Sequence, residues 1–201
     1  MFVDDQMEIE TWAARSPQNT LDVGTFVLLT IRQQFSGVGR MLERVRAGEV
    51  APLWGFKLDG YRYLKVHKKY LHERVRDCRR GKIWVEDLLR DYLAVPGLGL
   101  VKAGFAVQLL TGEAGCFDMH NIDRFGLQAA DFTIPSRVDP DAQLREINTA
   151  VDWYVQLCED YGGSEMLWDG WCHWVADQYR TWDSGENVSR AHVKFLKGVK
   201  A

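Results

Sequence analysis

The residues best suited to chemistry fall between residues 95 and 126, where a glycine turn, a lysine and an aspartate follow one another. Asp118 stands directly before a short helical pattern, in the segment Phe117-Asp118-Met119-His120. A positioned carboxylate can stabilise positive charge in a transition state or accept a proton from an attacking group. Aspartate is also a preferred N-cap residue. We therefore expect Asp118 to be catalytic, a helix cap, or both.

The turn ahead of this aspartate consists of Pro96, Gly97, Leu98 and Gly99. Its glycines can adopt positive φ, and an apolar pattern with helical spacing follows directly. A helix that starts behind such a turn presents unpaired amides and the positive end of its dipole. The pattern predicts an anion site, with a nucleic-acid phosphate as the expected ligand. Lys102 is expected to neutralise a phosphate, to lie in solvent, or to bind an anionic leaving group or substrate.

Helices are the elements that must position these residues. Apolar residues recur at helical spacing along most of the chain, and no alternating β-branched segment is long enough to predict a strand. The expected fold class is all-α. Residues 1–19 are predicted to form a loosely structured arm, residues 20–135 a core, and residues 136–201 a helical extension that packs on the core.

Two helices of this scheme stand out by composition. A basic helix is predicted from Tyr61 to Arg80, within a stretch where ten Lys and Arg residues between 57 and 82 face only three acidic ones. Its members Lys65, Lys68 and Lys69 are candidate DNA contacts beside the turn, although a solvated helix face is the commoner role for any single lysine. A second helix, from Leu167 to Arg180, carries three tryptophans that are expected in the core: Trp168, Trp171 and Trp174.

The composition excludes several classes of protein. No apolar run is long enough to cross a bilayer, and the N-terminus lacks the features of a signal peptide, so a cytoplasmic location is expected. The four cysteines have no CxxC spacing, which predicts reduced core residues and neither metal nor cofactor. No GxxxxGK[ST] loop is present, which argues against an ATP-dependent base kinase.

The central stretch resembles the helix-hairpin-helix DNA glycosylase superfamily, the all-α endonuclease III-like enzymes. The resemblance rests on the hairpin VPGLG at Val95–Gly99, on Lys102-Ala103 at the following helix start, and on the segment around Asp118. It covers roughly residues 20–135, including VLLTIRQ at Val27–Gln33, which looks like the family's first core helix. It implies a helix-hairpin-helix glycosylase-like fold, double-stranded DNA as partner, and Asp118 beside a flipped nucleotide.

The same resemblance implies further pocket residues. Gln33 or Gln34 could fill the gap left by an extruded base, although a surface role is commoner for glutamine on a helix. Trp54, in the predicted loop at residues 52–60, could stack on the base or merely anchor its loop. His120 and Asn121 would lie at the pocket, with His120 expected to hydrogen-bond the backbone or loop.

One departure from the family bears on the reaction. Bifunctional glycosylases carry an imine-forming lysine at the start of the helix after the hairpin, where this chain has Val101. Lys102 follows one residue later, and that offset turns a helical side chain by about 100°. We therefore expect Lys102 to point away from the pocket, which disfavours lyase chemistry.

Three functions remain open at this stage. The first is a transferase of the superfamily's bacteriophage thymine-hypermodification branch, which would join a small amine to activated 5-hydroxymethyluracil in DNA inside an infected cell. The second is a monofunctional glycosylase that excises a modified base. The third is a non-catalytic DNA-binding module, against which the retained Asp118 counts.

Overall fold

In the computed structural model, residues 3–178 and 184–198 are described, and they contain helices and no strand. The all-α prediction is confirmed, whereas the helix-hairpin-helix glycosylase-like fold stays a prediction. The end of the helix predicted to reach Arg180 lies outside the described residues. The elements are α1 (Val3–Ala13), α2 (Pro17–Thr30), α3 (Phe35–Arg46), α4 (Phe56–Cys78), α5 (Val85–Leu93), α6 (Leu100–Thr111), α7 (Met119–Phe125), a 3₁₀ turn (Ala129–Phe132), α8 (Pro140–Asp160), α9 (Gly163–Gln178) and α10 (Gly185–Lys197).

Helix α2 lies at the centre of the fold. Every residue from 20 to 29 is buried, and α2 packs against α1, α3, α4, α6 and α10. Pro17 occupies the first turn, where a missing amide hydrogen costs nothing, and the Ser16 hydroxyl accepts a hydrogen bond from the Asn19 amide at 3.1 Å. Most of these residues are apolar, and a helix that is buried on all sides belongs in a core. Its C-terminal end at Thr30 opens onto the candidate site.

The prediction of a loosely structured arm at residues 1–19 is wrong, because residues 3–13 form α1. Ile9 and Ala13 are fully buried, and α1 packs against α10, α6 and α2. Gln6 donates a hydrogen bond from its side-chain amide to Ser164 Oγ at 2.7 Å. Several buried residues of α1 are polar, and their partners are distant in the sequence. The helix therefore shows no apolar periodicity, and the sequence does not reveal it.

The glycine turn sits on the N-terminal end of α4. A Cβ at Gly60 would lie 2.4 Å from the Pro96 carbonyl oxygen, and a Cβ at Gly97 would lie 2.3 Å from the Phe56 ring. Gly97 also has φ +87°, a conformation that favours glycine. Helix α4 starts at Phe56, earlier than predicted, because Phe56 and Gly60 form this contact with the turn.

The cysteines and the apolar segments can also be compared with the sequence predictions. All four cysteines are free and buried, as predicted. Among the described residues, no helix has the length and apolarity needed to cross a membrane.

Candidate active site

A cavity of about 150 Å³ opens where five segments meet: the end of α2, the start of α3, the first turn of α6, the start of α7, and α9. Polar groups and aromatic rings share its walls. It is lined by Thr30, Gln33, Phe35, Lys102, Phe105, Cys116, Asp118, His120, Trp171, Trp174 and Val175. The predicted site residues Gln33, Lys102, Asp118 and His120 therefore come together at one place.

Asp118 caps α7, as predicted, and its side chain also lines the cavity. Its Oδ1 atom caps α7 by accepting hydrogen bonds from the amides of His120 (3.1 Å) and Asn121 (3.3 Å). Its Oδ2 atom accepts a hydrogen bond from the indole Nε1–H of Trp171, which belongs to α9. The side chain keeps 16% of its surface exposed. The carboxylate is thus held from two helices while it still reaches the cavity.

His120 stands beside this carboxylate. Its Nε2 atom lies 3.9 Å from Asp118 Oδ2, and its ring lies against Trp174 with the two planes 17° apart. Burial lowers the pKa of His120, and this effect exceeds the opposing influence of the Asp118 and Asp123 carboxylates. A neutral imidazole at neutral pH can both donate and accept a hydrogen bond at the cavity wall.

The expectation that Lys102 points away from the pocket is wrong, because Lys102 lines the cavity. Its Nζ atom lies 5.3 Å from the centroid of the Phe105 ring, one turn further along α6. The offset of about 100° per residue fixes only the direction in which a side chain leaves the helix. A lysine has a long flexible stem, and here that stem places the amine over Phe105, which also lines the cavity.

Gln33 reaches the cavity from the short connection between α2 and α3. Arg32 has φ +53°, an uncommon conformation for a residue with a side chain. This reversal follows the end of α2 and directly precedes Gln33. Gln34 is exposed and does not line the cavity, so the structure separates the two glutamines that the sequence left as alternatives.

Two of the three α9 tryptophans belong to the site, and the sequence missed them. Trp168 is 2% exposed and donates its indole hydrogen bond to Ser189 Oγ at 3.1 Å, so the core prediction is right for this residue alone. Trp171 and Trp174 line the cavity instead. Their spacing of three residues indicates a shared helix face, but only the packing of α9 shows what that face meets.

Cys116 also lines the cavity, but its thiol is a poor nucleophile. Burial raises the pKa of Cys116 to about 12, far from the range in which a thiolate forms at neutral pH. Within residues 3–178 and 184–198, no three His, Cys, Asp or Glu side chains are arranged to hold a metal ion. The polar side chains at the cavity include a carboxylate, an imidazole, an amine, an amide and the hydroxyl of Thr30.

Asn121 and Trp54 do not line the cavity. Asn121 is 1% exposed and donates to the carbonyl oxygens of Cys116 (2.7 Å) and Leu167 (3.3 Å), so its side chain joins α7 to α9 and has a structural role. Trp54 is 48% exposed and lies beside Phe56, at the foot of the glycine turn. Its position suits an outer contact better than a pocket wall.

The basic stretch between residues 57 and 82 is only partly exposed. Lys65 and Lys68 line a separate cleft between α2, α3 and α4, and Lys68 Nζ donates to Gln18 Oε1 at 3.3 Å. Lys69 is exposed. Lys57, counted in the same basic stretch, is fully buried and donates to the Leu29 carbonyl oxygen at 3.4 Å, so it cannot bind a phosphate without rearrangement.

The turn leaves backbone amides available. Leu98 is buried and its amide donates to the Val95 carbonyl oxygen, which anchors the turn. The amides of Gly97 and Gly99 have no protein acceptor within the described part of the chain. Pro96, Gly97 and Gly99 are exposed. These are the properties that an anion site on a helix N-terminus requires.

Comparison with protein families, with characterised proteins and with solved structures found no match to this chain.

Proposed function

We propose that this protein is a DNA-base-modifying enzyme whose cavity receives one base flipped out of a duplex. The observation that carries the proposal is Asp118, a carboxylate fixed by three donors at the wall of a cavity of about 150 Å³. A cavity of about this size accommodates one six-membered ring. Aromatic walls with a few convergent polar groups are the usual surroundings of a flipped base.

The duplex would be held outside the cavity. The free amides of Gly97 and Gly99 would bind a backbone phosphate. Lys102 lies close by, in the first turn of α6, the helix that follows the glycine turn. Phosphate contacts set the position of a duplex without reading its sequence. Gln33, at the rim on the opposite segment, would occupy the gap that the flipped base leaves.

The reaction we favour is transfer of a small amine to an activated 5-hydroxymethyluracil base. The amine nitrogen forms a bond to the exocyclic methylene carbon, the carbon–oxygen bond breaks, and pyrophosphate leaves with the bonding electrons. The amine proton passes to the carboxylate of Asp118. The Lys102 ammonium, at the same cavity, would neutralise the departing pyrophosphate.

A second candidate is a DNA glycosylase, and the position of Lys102 favours it. An amine at the cavity wall could attack the sugar and form an imine, while Asp118 stabilises the positive charge that develops as the base leaves. The spacing in the sequence argued against this chemistry, but Lys102 lines the cavity all the same. In a binding module without catalysis, Asp118 would serve only to cap α7 and to accept the hydrogen bond from Trp171.

Mass spectrometry of nucleosides separates these candidates. Duplexes containing uracil, 5-hydroxymethyluracil or its pyrophosphate would be incubated with the protein, with and without putrescine or glycine as the amine. We expect a heavier nucleoside that requires both the pyrophosphate and the amine. Release of free base would favour a glycosylase, and borohydride trapping that depends on Lys102 would show that its reaction passes through an imine. No product from any duplex would contradict both enzymatic candidates.

A further inference from the structure

A second cleft, of about 550 Å³, lies where the end of α1 meets the C-terminal half of α4. Four arginines from these two segments line it together with one histidine and one alanine: Arg15, Arg76, Arg79, Arg80, His72 and Ala14. No carboxylate is among its lining residues. The lining therefore concentrates positive charge in a chain whose net charge is −3.

Of the four arginines, Arg79 has a structural hydrogen bond. Its Nη1 atom donates to the Glu10 carbonyl oxygen at 2.6 Å and so caps the end of α1. In the part of the chain that the structure describes, Arg15, Arg76 and Arg80 make no side-chain hydrogen bond or ion pair. By contrast, Arg74 on another face of α4 is paired with Asp91 at 2.6 Å.

Like charges that lie close together repel, and this cleft gathers four guanidinium groups. Arg76 lies in the last turn of α4, whereas Arg79 and Arg80 follow its last residue, Cys78. Arg15 joins them from a different element, so a charged helix face alone does not explain the cluster. The negative ends of the α1 and α4 dipoles offset some of the repulsion, but an anion in the cleft would remove it.

We propose that this arginine cleft binds a compact polyphosphate anion, such as pyrophosphate, triphosphate or the phosphate chain of a nucleotide. Each guanidinium group can bind two oxygens of one phosphate. Several guanidinium groups in one cleft therefore suit a ligand with several phosphates next to each other. The backbone phosphates of a duplex are instead spaced along its strands, so fewer of them can reach one cleft at the same time.

The cleft is distinct from the cavity around Asp118. His72 is hydrogen-bonded to Thr20 at 2.8 Å, in the first half of α2, whereas the cavity lies beyond the last residue of that helix. Arg76 is also roughly 24 Å along α4 from Gly60, where the glycine turn packs, at about 1.5 Å per residue. The proposal therefore does not depend on the function assigned to the cavity.

The test is calorimetric titration of the full chain with inorganic tripolyphosphate at moderate salt. We expect one binding site, and we expect the double variant Arg76→Ala/Arg80→Ala to weaken binding by about tenfold or more. The double variant Arg40→Ala/Arg44→Ala removes the same charge from exposed positions of α3 outside the cleft, and it should bind as tightly as the wild type. Arg15→Ala tests the cleft from α1 and should weaken binding even if the α4 variant fails to fold.

Two results would overturn the proposal. The first is that tripolyphosphate does not bind, or that both double variants lose the same amount of affinity for it, because either would show that no discrete site exists. The second comes from repeating the titration with a short duplex in place of tripolyphosphate. If Arg76→Ala/Arg80→Ala weakens duplex binding while tripolyphosphate does not bind the wild type, the cleft is part of a nucleic-acid surface.

Discussion

The two carboxylate oxygens of Asp118 serve different purposes. Oδ1 is committed to the amides at the start of α7, whereas Oδ2 faces Trp171 on α9. The first contact fixes where the carboxylate is, and the second fixes how it is turned. Trp171 is therefore a positioning residue for the proposed reaction as well as a wall of the cavity.

Replacing Trp171 with Phe tests this role. The ring would be kept and the hydrogen bond to Asp118 lost, so we expect kcat to fall by about tenfold or more with little change in duplex affinity. Trp168→Phe is the matched control, because its indole donates to Ser189 instead. Turnover is measured as modified or excised base. Equal activity of the two variants would remove Trp171 from the positioning of Asp118.

Sequence reasoning at this scale works where the signal is local. Asp118 as an N-cap is such a signal, because a capping residue and its helix are neighbours in the chain. The reach of Lys102 and the orientation of Trp171 depend on how α6 and α9 pack. No spacing in the sequence contains that information, so both were assigned wrongly or missed.

At the scale of elements, the glycine turn depends on a close approach to α4. Because Gly60 has no side chain, the Pro96 carbonyl oxygen can pack against its backbone. A Cβ at this position would lie 2.4 Å from that oxygen and 2.9 Å from Leu28 Cδ2 of α2. The turn therefore rests on backbone at a point where no side chain fits. The turn is recognisable in the sequence, but Gly60, which seats it, is not.

Gly60→Ala should consequently destabilise the protein. The added Cβ would meet backbone that cannot rotate away, and we expect the free energy of unfolding to fall by about 1–3 kcal/mol. Gly37→Ala, in α3, is the control, because the nearest atom to its Cβ would be Met41 Cε at 3.8 Å. That change should be neutral or stabilising. Urea denaturation gives both values, and a neutral Gly60→Ala would contradict the packing described.

Helix α1 adds a pH-dependent contribution. Burial raises the pKa of Glu10 from 4.5 to about 7, an effect that Arg79 and Gln6 only partly oppose and that Glu113 reinforces. Because the folded-state pKa is the higher one, the stability linked to the neutral acid is fully present below about pH 4.5. It is lost as pH rises through about 7.

Glu10→Gln should remove this dependence, since glutamine stays neutral. Relative to the wild type, we expect the variant to gain about 1–2 kcal/mol of stability between about pH 5 and about pH 8. Denaturation curves of both proteins at the two pH values measure the change. A difference in stability that is constant with pH would show that folding does not raise the pKa of Glu10.

At the scale of the whole molecule, the cavity and the arginine cleft lie towards opposite ends of α2, and the glycine turn lies on the N-terminal end of α4. The net charge is −3, so the proposed binding of a duplex would have to come from local groups. The fold class was predictable because helical periodicity covers most of the chain. The ordered N-terminal helix was not, because its burial depends on α6 and α10.

Duplex binding should respond steeply to salt if the turn and nearby lysines bind phosphates. With only a few phosphate contacts, we expect affinity to fall by roughly tenfold or more between about 50 mM and about 200 mM salt. Fluorescence anisotropy of a labelled duplex measures this slope. A flat response would exclude phosphate binding as the main source of affinity.

The central claim is that Asp118 acts on a base in DNA. Nucleoside mass spectrometry on the wild type, Asp118→Asn and the exposed control Asp131→Asn tests it most directly. Asparagine also caps helices well, so Asp118→Asn should fold and bind duplex nearly as the wild type does. We predict a modified or excised base with the wild type and Asp131→Asn, and none with Asp118→Asn. Undiminished turnover by Asp118→Asn would contradict the account.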